Sequence, residues 1–187
     1  MWCVPRLDEQ YVARMEDVLD TMAQPPDEAE PVVALDERPV VLRDPARPGR
    51  SAAPGRIARQ DYEYVRRGTA NIFCIVEPKV GRHMTYATRN RTAKQFAHAL
   101  KRIANRYPSA KTIHLVMDNL NTHSQNSLCT AFGGEVGRAL WGRFTVHYTP
   151  KHGSWLNPAE IEASLWSREC LGRLRIGSLA ELRRRTS

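Results

Sequence analysis

The chain has 187 residues, enough for one domain with a real core, and its 42% hydrophobic and 26% charged content is ordinary for a globular protein. No apolar run reaches the roughly 18 residues that a membrane helix needs, and no signal-peptide pattern opens the chain, which argues against membrane-spanning and secreted classes. The net charge of +8 is unevenly spread: residues 1–37 carry ten acids against Arg6 and Arg14 (−8), and residues 38–187 carry 26 Lys and Arg against ten acids (+16). In chain order, Tyr11, Val12, Met15, Val18, Leu19 and Met22 recur at three- and four-residue spacing and predict a helix with one apolar stripe. PPDEAEP at 25–31 breaks it and leads into a strand at 32–36, VVALD. Residues 43–59 are rich in Pro, Gly, Ala and Arg and read as a mobile basic loop, whose Arg43, Arg47, Arg50, Arg56 and Arg59 suit a DNA-contacting arm.

Two strands follow at 69–78 and 83–89, joined by a tight KVGR turn. Thr92 is placed to cap a helix whose Phe96, Ala99, Leu100 and Ile103 share a face, and which ends before Tyr107-Pro108 because the residue before proline avoids the helical region. TIHLVMD at 112–118 reads as a buried central strand. Asn121 or Thr122 is expected to begin a helix that stops at Gly133-Gly134. FTVHY at 144–148 is a short strand, and Asn157-Pro158 opens a last helix with proline in its first turn. Trp155 and Leu156 are expected to anchor that helix in the core, and Trp166 to pack as well. The four cysteines form no C-x-x-C pair and read as reduced cytoplasmic thiols.

The chemistry concentrates at strand ends. Asp36 and Asp118 each close an apolar strand, and Glu160 or Glu162 stands in the first turns of the last helix. Three carboxylates converging from two strands and a helix offer hard oxygen ligands to divalent cations, and paired cations can clamp both oxygens of a phosphodiester displacement. Singly, each acid is as easily a turn or helix cap. Asn119 and His123 follow Asp118 at close range. His123 is placed to bind a scissile phosphate, to hold Asp118, or to cap the next helix. Lys151 and His152 suit phosphate backbone contacts. No helical His-x-x-x-His pairing supports a zinc site.

The segments VVALDERP, RQDYEYVRRGTANIF, VMDNLNTHS and HYTPKHGSWLNPAEIE resemble the DDE transposases of the insertion-sequence 630 family, relatives of the Tc/mariner group. The resemblance covers most of residues 1–182 and is most specific at HYTPKHGSWLN. It implies an α/β, ribonuclease-H-like mixed five-stranded sheet flanked by helices, with Asp36 and Asp118 on adjacent central strands. It also implies catalysis of DNA cleavage and strand transfer with two magnesium or manganese ions. By position, the family's three acids fall on Asp36, Asp118 and Glu160. Glu162, roughly 200° further round the helix, is left in a supporting place. The expected organisation is an N-terminal helix and linker at 1–30, the catalytic domain at 31–176 and a truncated C-terminal helix at 177–187.

Double-stranded DNA is the expected partner, with a second copy of the chain and a separately encoded helix-turn-helix segment as further candidates. The expected location is the cytoplasm, on the nucleoid. Family members normally carry an N-terminal helix-turn-helix region, so the expectation is a catalytic-domain fragment. A ribonuclease-H-like nuclease of another kind, or a remnant that only binds DNA, are the alternatives.

Overall fold

In the computed structural model, which describes residues 7–172 and 174–186, five strands form one mixed sheet in the order β3-β2-β1-β4-β5. Cys3 and the rest of the first six residues lie outside the described ones. β1 (Val32–Pro45), β2 (Tyr64–Glu77) and β3 (Arg82–Thr88) are an antiparallel meander, and β4 (Ile113–Met117) and β5 (Phe144–Tyr148) run parallel to β1. This is the five-stranded α/β sheet expected of a ribonuclease-H-like domain.

Strand periodicity sorts the core into two faces. Val33, Leu35, Phe73, Ile75, Leu115 and Met117 face α2 (Ala93–Arg106) and α3 (Gln125–Phe132). Val32, Ala34, Val76 and Val116 face the opposite side, where α1 (Glu9–Ala23) contributes Val18 and α5 (Pro158–Trp166) contributes Ala159. Further along that face, α6 (Leu179–Arg185) seals Ile72 and Cys74 with Leu182. The terminal helices α1 and α6 thus pack directly on the sheet. Among the described residues no helix is long and apolar enough to cross a membrane.

Four local expectations need correction. First, residues 43–59 are not a featureless loop. β1 and β2 each run for 14 residues as a ribbon with a bulge at Leu42/Arg43, and bridges Arg50–Arg59 and Ala53–Arg56 continue it toward the tip. Beyond Leu42, backbone pairing and not side-chain burial holds this ribbon, so apolar patterning does not reveal it. Second, Thr92 sits at the N-cap of α2 but makes no cap bond, because its hydroxyl donates to Asn90 Oδ1 at 3.1 Å. Third, the helix expected from residue 121 or 122 begins at Gln125, because residues 119–124 turn back to bring His123 against Asp118. Fourth, the Gly133-Gly134 stop is followed by an unanticipated helix, α4 (Gly134–Trp141). Gly133 takes φ 89° at the junction, and Gly137 lets α4 lie on α3, since a Cβ there would sit 2.5 Å from Cys129 Cα.

Candidate active site

Register brings the two aspartates together. The parallel pairing of β1 with β4 runs through Ala34–Val116, and Asp36 and Asp118 each lie two residues beyond that last pair. With side chains alternating at every residue, Asp36 emerges on the face of Ala34, and Asp118, one residue past the end of β4, stands near enough for its charge to act on Asp36. The N-terminus of α5 sits over that same pair: Ala159 is buried among Ala34 and Val116, and small Ala159 and Ala163 let the helix approach closely. Glu160 is the next residue.

Asn157 fixes this approach. Its Oδ1 accepts from Ala159 N at 3.1 Å as the N-cap of α5, and its Nδ2 donates to Leu35 O at 2.8 Å, one residue before Asp36. One buried side chain therefore sets the start of the helix against the end of the strand.

The electrostatics follow. Asp36 is half-buried, and its Oδ1 accepts from the backbone N–H of Glu37 at 2.8 Å. Its carboxyl is pushed up to about 6, chiefly by burial, against the pull of the Glu37 N–H and with the charges of Glu160, Asp118 and Glu37 adding to the rise. The charges of Glu160 and Asp118 thus bear on Asp36, a load that a cation beside it would relieve. Glu162 faces elsewhere. It lies 3.3 Å from His83 Nδ1 and adds, after burial and Asp36, to the forces that push the Cys74 thiol up to about 12.

Behind Asp118 lies a buried pair that sequence reasoning only half found. His123 is 1% exposed and stacks on Phe96 at 4.5 Å. Its Nε2 lies 2.8 Å from Glu37 Oε1. Its Nδ1 aligns with the Asp118 carbonyl at 3.0 Å and stands 2.6 Å from Asp118 Oδ1 without hydrogen-bond alignment to it. Burial opposes charge on this imidazole, but Asp118 and Glu37 outweigh it and push His123 up to about 10. With both nitrogens engaged and no exposed edge, His123 does not reach a scissile phosphate. Glu37 was not singled out from the sequence. The available signal was its place on the opposite face of β1 from Asp36, where a carboxylate enters the core and needs a partner.

The remaining expected residues divide. Asn119 is exposed beside Asp118. Lys151 and His152 are exposed on the turn after β5, with His152 at φ 64°. His147 turns away from the site into a chain with His114 at 2.9 Å and Asp17 at 2.9 Å, which ties α1 to the sheet. Trp155 is not a core anchor. It is 49% exposed on the short 3-10 turn 154–156, because that turn points Leu156 inward and its neighbour outward. With Glu160, Ile161 and Arg168 it rims a cleft of about 390 Å³.

Of the arm, Arg43 stacks over the Tyr64 ring at 4.6 Å, and Arg47 meets Asp61 at 3.5 Å and Glu63 at 3.2 Å. Arg50, Arg56 and Arg59 are exposed and enter no ion pair among the described residues.

The donors fit a hard divalent cation in kind: three carboxylates, with Asp118 Oδ1 buried and lacking an aligned partner. Among the described residues, no three His, Cys, Asp or Glu side chains stand close enough together to enclose a metal ion.

A family model described as DDE superfamily endonuclease matches residues 31–183. The chain belongs to this family. As a DDE superfamily endonuclease it shares its fold with solved structures of the mariner transposase Mos1. The Mos1 paired-end complex with manganese superposes with a TM-score of 0.60 at 15% identity, covering 98% of this chain and 56% of that one. The Mos1 strand-transfer complex gives 0.58 at 16% identity, covering 98% and 55%. A Mos1 paired-end complex with magnesium gives 0.57 at 14%, covering 98% and 56%. The chain thus spans little more than half the length of these relatives. No curated protein matches it.

Proposed function

We propose that this endonuclease-family chain is the catalytic domain of a transposase of the insertion-sequence 630 type, which cuts and rejoins double-stranded DNA using divalent cations held by Asp36, Asp118 and Glu160. The observation that carries the reading is the shared register of the two aspartates, two residues past one strand pair, with the charge of Glu160 acting on Asp36. A bound magnesium or manganese pair would polarise the phosphodiester and activate water or a DNA 3′-hydroxyl for in-line attack.

The chain's own residues do the rest. Glu37 N–H orients Asp36. His123 backs Asp118. Asn157 sets the first turn of α5 against the end of β1, and the charge of Glu160 in that turn bears on Asp36. No nucleophilic side chain is needed, since the attacking oxygen belongs to water or DNA. The basic body, with Arg50, Arg56 and Arg59 on the ribbon and Lys151 and His152 by the site, fits the phosphate backbone. A second copy of the chain, a separately encoded helix-turn-helix segment that recognises element ends, and a nucleoid location complete the proposal.

The test is nicking and strand transfer on plasmid DNA with magnesium or manganese. Asp118→Asn should abolish both while leaving salt-sensitive DNA binding intact or tighter, because a charge beside the phosphates is removed. Unchanged nicking in purified Asp118→Asn protein sinks the mechanism. Nicking without strand transfer points to a plain nuclease.

A further inference from the structure

We propose that Glu37 is a positioning residue that acts through His123 to aim Asp118 at the cation site; the inference rests on the endonuclease reading above. Glu37 and Asp36 are neighbours on β1, so they project to opposite faces of the sheet. Asp36 goes to the site. Glu37 goes inward, where its carboxylate is 3% exposed. There it meets His123 at 2.8 Å, and the other nitrogen of His123 aligns with the Asp118 backbone carbonyl at 3.0 Å and stands 2.6 Å from the Asp118 carboxylate, close enough to limit its rotamers. Two acids adjacent in sequence are thus joined to the site by different routes, one directly and one through the core and back out beside β4.

The geometry leaves His123 little freedom. Phe96 stacks on its ring, and Tyr148 Oη donates to its carbonyl at 2.9 Å. A ring stacked on one side, on a backbone tied to Tyr148 and with a carboxylate fixing one nitrogen, presents the other nitrogen in one direction. That direction is the Asp118 end of β4. An acid at the end of a five-residue strand, followed by a turn, otherwise chooses among rotamers. A partner that limits this choice works as the groups behind metal-binding carboxylates do, and removing such a partner typically costs roughly 10–100-fold in metal affinity or activity.

A buried pair that only stabilised the fold would have the same distances, so the test must separate the two roles. The measurement is the thermal stabilisation of the full chain by magnesium alone, titrated for wild type, Glu37→Gln, Asp118→Asn and the double variant, beside nicking at each magnesium concentration. The expected result is a rise of roughly tenfold in the magnesium concentration needed by Glu37→Gln for half of its stabilisation and for half-maximal nicking. Glu37→Asp, which keeps the charge, should recover much of that loss. In the Asp118→Asn background, Glu37→Gln should remove no further magnesium response, because its effect travels through Asp118.

If Glu37→Gln lowers melting temperature but leaves the magnesium midpoint unchanged, or if its effect adds to that of Asp118→Asn, the positioning role is overturned while the endonuclease reading stands. If Glu37→Gln does not fold, His123→Gln takes its place in the same cycle with the same expectations. If wild type neither nicks DNA nor responds to magnesium, the endonuclease reading itself fails and takes this inference with it.

Discussion

Glu160 and Glu162, two residues apart on α5, serve different neighbours: the charge of Glu160 bears on Asp36, while Glu162 lies 3.3 Å from His83 Nδ1. The separation follows from about 100° of rotation per residue. Glu160→Gln should therefore reduce metal-dependent nicking by at least roughly a hundredfold, the scale of losing a group that acts in the transition state. Glu162→Gln should change it by less than about threefold. Nicking rates of the two purified variants on one plasmid substrate decide this, and a reversed order would reassign the third acid.

Asp36 carries a cost in the metal-free protein. Its folded-state carboxyl stands at about 6 against an ordinary 3.8, so the folded protein holds that proton more tightly than the unfolded chain. Stability therefore falls as pH rises from about 4 through about 6 and then levels off. At pH 7 the cost is roughly 1–2 kcal/mol once solvent screening of a half-buried group is allowed for. Asp36→Asn should raise the melting temperature by a few degrees at pH 7 without metal, and the gain should vanish near pH 4. Magnesium should no longer stabilise this variant as it does wild type. A gain that is equal at both pH values would show that charge is not its source.

Asn157 makes two bonds with one amide, and the two can be told apart. Asn157→Ala loses the helix cap and strands the Leu35 carbonyl, a loss of about 2–3 kcal/mol. Asn157→Asp keeps a good cap but cannot donate to Leu35 O, so it should destabilise by a similar amount despite the helix preference for Asp. Denaturant melts of both variants check this; a near-native Asn157→Asp would make the cap the whole effect.

Salt dependence reports the arm. Replacing Arg50, Arg56 and Arg59 with Ala should flatten the log–log salt slope of DNA binding by up to about three, since each phosphate that an arginine no longer neutralises removes roughly 0.9 from it. Arg47→Ala should change it little, since Asp61 and Glu63 already meet that charge. Titrations on unrelated duplexes at several salt concentrations measure both, and a strong preference for one duplex would show base reading by this domain itself.

The parts of this site that are legible in the sequence are those that burial writes into local pattern. Val32–Leu35 and Ile113–Met117 are apolar runs closed by an acid, and Asn157-Pro158 carries its own helix signal. What is not legible depends on partners far away in the chain. Glu37 finds His123 across 86 residues, and no periodicity encodes that meeting. Trp155 is misplaced by a sequence reading because hydrophobicity ranks it inward, whereas the turn at 154–156 has room for one inward side chain and gives it to Leu156. The ribbon escapes because exposed arginines on a paired backbone look like a loop when only side chains are read.

The continuity of β1 has a mechanical consequence. One strand, bulged at Leu42/Arg43, carries Asp36 and, seven residues on, Arg43 at the root of the basic ribbon. At about 3.3 Å per residue that is roughly 23 Å, close to seven base steps of a duplex. For the DNA cleavage proposed above, the strand is a ruler: a phosphate backbone held by the ribbon would lie a set number of nucleotides from the scissile bond. Adding a pair of residues to each of β1 and β2 should move the cut by about two nucleotides, whereas adding one would turn the ribbon's faces over.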